Sequence, residues 1–132
     1  MSLLDRGGPA GEILRTRLRT IPPDDVATTI ISYEEQTRGW LARIAQLRTV
    51  DRQLAAYREL KRQLLNYCHI PVTDFDERAA DKFGQLRRAG IRIGTMDLKI
   101  AAIALAEGAT VLSRNLTDFG KVPGLSVEDW SV

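Results

Sequence analysis

Four acidic side chains follow closely behind segments that the sequence predicts to be strands of a parallel sheet. They are Glu34, Glu35, Asp97 and Asp118. Because ligand sites in such sheets lie outside the carboxyl ends of the strands, we expect these carboxylates to share one edge of the sheet. Oxygen ligands of this kind suit Mg²⁺ and Mn²⁺, which keep several water molecules in their coordination shell. A cation bound there could activate water and neutralise charge on a phosphodiester during hydrolysis.

Each of these acids also has an interpretation that involves no metal. Asp97 lies two residues after Thr95 in the first turn of a predicted helix, where a negative charge is favourable in any protein. Glu34 and Glu35 occupy a similar position at the start of another helix, and Asp118 could form a turn through its side chain. Spacing alone therefore leaves a metal site and a set of ordinary helix and turn residues as open alternatives.

The segments that must position these acids alternate between strand and helix patterns. Runs of β-branched and apolar residues predict the strands, and apolar positions three and four residues apart predict the helices. This alternation is typical of an α/β domain with a parallel sheet and right-handed crossovers. The predicted strands are residues 26–31, 70–72, 91–93, 109–113 and 125–127, and the predicted helices are residues 11–19, 33–45, 51–67, 77–88 and 96–107.

Short polar residues and glycines mark the expected ends of these helices. Ser32, Asp76 and Thr95 are predicted to cap helix N-termini, since their side-chain oxygens can accept hydrogen bonds from the first-turn N–H groups. Gly90 and Gly108 are predicted to end the helices that precede them, because glycine adopts a left-handed conformation without strain.

The two longest predicted helices are joined by a short link and should form a strongly basic helical hairpin. Residues 38–63 contain seven lysine or arginine side chains against two acids. This charge suits the phosphate backbone of RNA, although a basic helix face is also common on a solvated surface, and both interpretations stay open. The whole chain has a net charge of only +2, which by itself indicates no nucleic-acid partner.

The remaining composition excludes several classes of site. The 132 residues, of which 44% are hydrophobic, fit one globular domain. One cysteine, Cys68, and one histidine, His69, exclude an internal disulfide and a Cys/His zinc cluster within this sequence. We interpret both residues as structural, and Cys68 as a small buried hydrophobe. The first twelve residues contain no apolar stretch long enough for a secretory signal, so we expect a cytoplasmic protein.

Three motifs resemble those of a known family. Residues 93–102 (IGTMDLKIAA) and 112–119 (LSRNLTDF) closely resemble the C-terminal half of PIN-domain ribonucleases, most of all the VapC toxins of bacterial toxin–antitoxin pairs. Residues 32–39 (SYEEQTRG) resemble the second motif of that family, in which a glutamate precedes a glycine by four positions. That spacing matches Glu35 rather than Glu34.

The resemblance implies a PIN-like α/β/α sandwich with a central parallel sheet and a helical hairpin, formed by a single domain over residues 1–132. It also implies RNA cleavage that depends on Mg²⁺ or Mn²⁺, neutralisation by a VapB-type antitoxin, and a homodimer. Carried over by position, Glu35, Asp97 and Asp118 would be the catalytic carboxylates and the metal ligands. Ser113 and Asn115 fall where the family places small polar residues that support the site.

The first motif of the family is not matched. Family members begin with a strand that ends in Asp-Thr-Asn or Asp-Thr-Asp, whereas Asp5 is followed by Arg-Gly-Gly-Pro. We interpret residues 2–5 as the remnant of the helix after that strand, with Asp5 as the first metal ligand being the alternative. Loss of this central strand would remove hydrogen-bonding partners on both of its sides. A start codon assigned too late would explain the missing strand, and a genuine inactive truncation is the rival explanation. The alternative hypothesis for function is a degenerate, non-catalytic domain that binds RNA or antitoxin.

Overall fold

A computed structural model of the chain describes residues 19–22 and 25–129. Residues 11–18 of the predicted helix at 11–19, and the alternative ligand Asp5, lie outside the described residues. The elements within them follow one another as β1 (Thr28–Thr29), α1 (Ile30–Gln46), α2 (Val50–Cys68), β2 (Val72–Thr73), α3 (Glu77–Arg88), α4 (Thr95–Glu107), β3 (Val111–Leu112), α5 (Leu116–Phe119) and β4 (Val127–Glu128). This order confirms the predicted α/β class.

The strands pair in parallel, as the sequence predicts. Thr28 lies opposite Val72 where β1 pairs with β2, and Val111 lies opposite Val127 where β3 pairs with β4. Within the described residues the strands form two separate two-stranded sheets, so one continuous sheet through all four strands is not formed there. A strand that would join the two pairs, as the first motif of the family implies, stays a prediction.

Helix α1 begins earlier than predicted and shortens the strand before it. The hydroxyl of Thr29 accepts a hydrogen bond from the backbone N–H of Ser32 at 3.0 Å and so caps the helix. Ser32 therefore lies inside the first turn, and its prediction as the capping residue is wrong. The apolar run at 26–31 divides between β1 and α1, with Ile31 buried on the helix.

Helices α1 and α2 form the predicted hairpin, and polar contacts hold it together. The Gln63 side chain is buried and donates from Nε2 to the Thr37 hydroxyl at 2.7 Å. The Tyr67 hydroxyl donates to Gln36 Oε1 at 2.9 Å, and its ring meets the Tyr33 ring edge to face at 5.1 Å. These polar contacts fix the register of the two helices.

The apolar residues of α2 lie mostly on the outside of the hairpin. Leu54, Tyr57 and Leu64 share one face of the helix and are each about half exposed, at 50%, 54% and 51%. Cys68, at the end of the same helix, is exposed as well, so its prediction as a buried residue is wrong. This outer face of α2, defined by Leu54, Tyr57 and Leu64, is covered by no other element in the described part of the chain.

The core is organised around α4, which is apolar nearly all round as the sequence predicts. One cluster of buried side chains packs α4 against α3 and the C-terminal segment, and it consists of Leu86, Leu98, Ala101, Ala102, Phe119 and Val122. A second cluster packs α4 against α1 and α3, and it consists of Ile31, Ala79 and Ile103. Ile100 packs against both clusters. Packing in both clusters therefore fixes the position of α4, and with it the position of the residues at the start of this helix.

The ends of α3 and α4 follow the predicted signals in part. The Asp76 carboxylate accepts from Ala79 N at 3.0 Å and caps α3, and Gly108 ends α4 with a φ of 64°. Thr95 is the first residue of α4, while Gly94 occupies the capping position and offers no side chain. The prediction of Thr95 as a cap is therefore wrong. The prediction of a strand at 91–93 is wrong as well, because these residues form a loop between α3 and α4. None of the described helices is long and apolar enough to cross a membrane.

Candidate active site

Two of the predicted carboxylates meet at the start of α4. Asp97 lies in the first turn of α4, held by the packing of Leu98 one residue further on into the core. Asp118 lies on α5, the short helix that follows β3 in the chain. Phe119, beside Asp118, packs into the same buried cluster as Leu98. The core thus brings together two residues that are 21 positions apart in the sequence.

Asn115 stands between these two carboxylates. Its side-chain nitrogen Nδ2 lies 3.0 Å from Asp118 Oδ2 and 3.5 Å from Asp97 Oδ2. Its side-chain oxygen in turn accepts from the backbone N–H of Asp118 at 3.4 Å and caps α5. One amide side chain therefore both begins the helix that carries Asp118 and joins that acid to Asp97.

Ser113 fixes the turn that presents Asn115. Its hydroxyl accepts a hydrogen bond from the backbone N–H of Asn115 at 2.9 Å, a local contact typical of turns that serine stabilises. The backbone N–H of Ser113 donates to Glu128 O at 3.0 Å, which ties the start of the turn to β4. Ser113 thus acts on the site through Asn115 rather than by touching either carboxylate.

The two carboxylates differ in their electrostatics. Burial raises the pKa of Asp97 above its ordinary value, and repulsion from Asp118 raises it further, while the hydrogen bond from Asn115 opposes both. The hydrogen bond from Asn115 lowers the pKa of Asp118, and the nearby Lys121 acts in the same direction. The charged form of Asp118 is thus stabilised, whereas the charged form of Asp97 is destabilised and would gain from a nearby positive charge.

Glu35 approaches the pair from α1 and is coupled to it through its charge. Its side chain is largely exposed, yet partial burial of the carboxyl is the first cause that raises its pKa, followed by repulsion from Asp97 and from Glu34. Arg38 acts in the opposite direction, and it forms an ion pair with Glu34 at 2.5 Å. Glu34 therefore has a partner on its own helix, while Glu35 is the glutamate that is coupled to Asp97.

A hard divalent cation fits this set of donors. The oxygens of Asp97 and Asp118 converge on one amide, and the mutual repulsion among Glu35, Asp97 and Asp118 is what a positive charge would relieve. Within residues 19–22 and 25–129, no three acidic, cysteine or histidine side chains already stand close enough together to hold a metal ion. A bound ion would thus need Glu35 to move toward the pair or water to fill the gap, which Mg²⁺ readily allows.

The sequence reasoning missed three cations near the site. Lys121 lies 3.5 Å from Asp118 Oδ1, one helical turn further along the chain. Arg87 and Arg92 line a cavity of about 760 Å³ that reaches Asp118. The spacing of Lys121 from Asp118 could have indicated the first contact. Arg92 was hidden by the incorrect prediction of a strand, in which its side chain would alternate with Ile91 and Ile93 and face away from them.

Comparisons with known proteins place these observations in a family. The PIN domain profile matches residues 1–125. The chain is 38% identical over 65 residues to a tRNA(fMet)-specific endonuclease VapC of Salmonella typhimurium, a match that covers 46% of this chain and 49% of that protein. The matched part of the chain thus spans about half the length of this relative.

Solved structures of the same fold cover more of the chain. VapBC-1 from nontypeable Haemophilus influenzae superimposes with a TM-score of 0.71 at 23% identity, over 92% of this chain and 87% of that one. DNA-bound VapBC from Salmonella typhimurium gives a TM-score of 0.67 at 28% identity, over 90% and 85%. The matched profile agrees with the parallel strands and with the carboxylates and their supporting amide. The chain belongs to the PIN domain family.

Proposed function

We propose that this protein is a metal-dependent endoribonuclease of the VapC toxin type. The observation that carries the proposal is the placement of the Asn115 side-chain amide between Asp97 and Asp118, with Glu35 electrostatically coupled to Asp97. Among the proteins similar to this chain is an endonuclease specific for a tRNA, which supports RNA as the substrate class. Asp97 and Asp118 would hold Mg²⁺ or Mn²⁺ with Glu35 as the third carboxylate.

Each residue has a definite part in this mechanism. When bound, the cation supplies Lewis-acid stabilisation of the phosphodiester and lowers the pKa of water. The carboxylate oxygens of Asp97 and Asp118 would bind the cation. The Asn115 amide, which contacts both carboxylates, keeps them close to each other. Glu35, whose pKa is raised by burial and by Asp97, is suited to accept a proton from the attacking water. Ser113 keeps Asn115 in place through the turn.

The proposal is tested by Asp97→Asn, which keeps the shape of the side chain and removes its charge. We expect Mn²⁺-dependent cleavage of single-stranded RNA to fall by roughly a thousand-fold or more, because a bound cation supplies several kcal/mol of transition-state stabilisation. Asp81→Asn, an exposed acid on α3, is the matched control and should cleave as the native chain does. Single-stranded DNA of the same sequence serves as the substrate control. Undiminished cleavage by Asp97→Asn would refute the mechanism.

A non-catalytic domain that binds RNA or antitoxin is the second candidate. It is favoured by the contacts that already satisfy Asp118, which include Asn115 and Lys121, and by the lack of a closed three-acid cluster in the described residues. Calorimetric titration with Mn²⁺ separates the two candidates. An active site should give a binding heat that Asp97→Asn abolishes, whereas a pure binding module should give none.

We also propose that a VapB-type antitoxin neutralises the protein and covers the outer face of α2. A solved relative at 28% identity is a VapBC complex, and the surplus of positive charge on the hairpin would complement an acidic helix. The VapB chain of that Salmonella complex provides a defined probe. Leu54→Glu with Leu64→Glu should abolish its binding, while Leu116→Glu, an equally exposed leucine away from this face, should not. Equal binding by both variants would place the antitoxin elsewhere.

A homodimer, implied by the family resemblance, is the last part of the proposal. Light scattering on the purified chain should report twice the mass of the 14.7 kDa protomer. A protomer mass that persists across the concentrations used for the cleavage assays would remove the dimer from the proposal and leave the site unaffected.

A further inference from the structure

A cavity extends from Asp118 along the gap between α3 and the start of α4. It is wide and open to solvent, with a volume of about 760 Å³, and Asp118 forms part of its wall. The loop 90–94 forms one side, and Phe83, Arg87 and Leu98 form much of the rest. Because the cavity opens onto Asp118, anything held in it would continue into the candidate active site.

The charges along this cavity are predominantly positive. Arg87 and Arg92 line it, and neither forms an ion pair with a carboxylate within the described part of the chain. Of the described side chains that line it, Asp118 is the only acidic one, and that carboxylate is already contacted by Lys121 and Asn115. A cavity with unpaired guanidinium groups favours an anion with several acceptor oxygens.

The cavity also has an aromatic wall. The guanidinium of Arg87 lies 5.5 Å from the centroid of the Phe83 ring, and Lys99 Nζ lies 6.0 Å from the same centroid, so the ring already holds cations against it. Arginine planes and phenylalanine rings are the groups on which unstacked nucleobases stack in single-stranded RNA. The guanidinium plane of Arg87, held against the ring in this way, offers a stacking surface that a simple anion does not use, so the cavity matches a nucleotide better.

We propose that this cavity binds the backbone of the RNA strand next to the phosphodiester that is cut, with Arg87 and Arg92 contacting its phosphates. The inference rests on the proposed function for the position of the cut, and it adds the path that the strand follows away from Asp118. Arg92 contacts one phosphate from the loop before α4, and Arg87 contacts another from the last turn of α3. Both are substrate-binding residues, and neither takes part in metal binding.

The test measures the binding of a short labelled single-stranded RNA by fluorescence anisotropy over a range of salt concentrations. The double variant Arg87→Gln/Arg92→Gln should bind roughly ten-fold more weakly at physiological salt. The slope of log K against log salt should fall by about 1.4, since each phosphate contact in single-stranded nucleic acid contributes about 0.7. Arg88→Gln is the matched control, because this exposed arginine follows Arg87 directly and does not line the cavity.

Mn²⁺ titration keeps this inference distinct from the proposed function. The double variant should bind Mn²⁺ as the native chain does, and its KM for RNA should rise while kcat stays nearly unchanged. An unchanged salt slope in the double variant, or an equal loss in Arg88→Gln, would overturn the cavity as the RNA path while leaving the metal site standing. A native chain that binds RNA through these arginines but shows no Mn²⁺ heat would instead overturn the proposed catalysis and leave the path standing.

Discussion

Asn115 and Asp118 are joined by two hydrogen bonds, and each residue is the donor in one of them. The amide nitrogen Nδ2 of Asn115 donates to Asp118 Oδ2 at 3.0 Å, and the backbone N–H of Asp118 donates back to Asn115 Oδ1 at 3.4 Å. The pair forms a closed ring of contacts at the start of α5, so the backbone and the carboxylate of Asp118 are held together. Asp97 joins this ring through the same nitrogen, and the first prediction tests that connection.

Asn115→Ala should raise the pKa values of both Asp118 and Asp97, because both lose a hydrogen bond that favours the charged form. Titration of the carboxyl carbons by NMR measures both values. The lowered pKa of Asp118 contributes stability that is present above the ordinary pKa of aspartate and is lost as the pH falls through the folded value. The stability deficit of the variant should therefore be present at neutral pH and shrink in acid. Unchanged titration of both acids would show that the amide does not bridge them.

Asp97→Asn should make the metal-free protein more stable at neutral pH. Burial and Asp118 raise the pKa of Asp97, so the folded state binds more protons than the unfolded state between the ordinary pKa of about 3.9 and the folded value. Stability of the native chain thus falls as the pH rises through that window and stays lower above it. The gain is small because the carboxyl remains partly solvated.

Thermal unfolding with EDTA at several pH values measures this difference. The variant and the native chain should converge below the ordinary aspartate pKa, where Asp97 is protonated in both the folded and the unfolded state. Added Mn²⁺ should reverse the order at neutral pH, because it stabilises only the chain that retains the charge. If the variant were less stable than the native chain in EDTA, the charged form of Asp97 would not be destabilised in the fold, and the raised pKa would be contradicted.

Ala101→Leu should destabilise the fold by about 1–3 kcal/mol, since Ala101 of α4 is completely buried in the cluster that packs α4 against α3, and a larger side chain would overpack that cluster. Urea unfolding gives the free energy of unfolding for each variant. Ala80→Leu places the same side chain at an exposed position of α3 and should change it by less than about 0.5 kcal/mol. Similar values for the two variants would mean that the core around α4 is loosely packed.

Gly120→Ala should disturb the helix that carries Asp118. A Cβ atom at Gly120 would lie 2.7 Å from the carbonyl oxygen of Leu116, so α5 must shift, at a cost of about 1–3 kcal/mol. Gly39→Ala is the contrasting change, because a Cβ there meets nothing within 4 Å in the interior of α1. It should stabilise the chain by about 0.5–1 kcal/mol. NMR titration of Asp118 should change in the first variant only, and an unchanged pKa there would show that α5 absorbs the methyl group elsewhere.

Much of the architecture could be predicted because local signals and tertiary packing agree. The Asp76 carboxylate caps α3, Gly108 ends α4 because glycine adopts the left-handed conformation without strain, and the apolar run of α4 is buried in the core. The boundary at Thr29 could not be predicted in this way, because two adjacent threonines and two isoleucines favour a strand. The hydroxyl of Thr29 nevertheless begins a helix there. Residues 91–93 likewise have a strand pattern, but in the structure they form a loop between two helices.

Sequence motifs could propose the residues of the candidate site, but not the contacts among them. The motifs indicated Asp97, Asp118 and Asn115, whereas the hydrogen bonds that join them depend on how α4 and α5 meet in space. Arg87 and Arg92 belong to different segments, and only the angle between α3 and the following loop brings them to one cavity. Such placement follows from packing over long distances in the sequence, which local patterns do not encode.

Helix α4 contributes side chains to both buried clusters, and its first turn carries Asp97. Hydrogen exchange should therefore find the amides of α4 among the slowest in the chain, because they open only when both clusters open. Any opening that frees α4 also separates Asp97 from Asn115, so the arrangement of these two side chains cannot persist in a partly unfolded molecule. A protease or partner that loosened this one helix would take the candidate site apart and expose the interior in the same event.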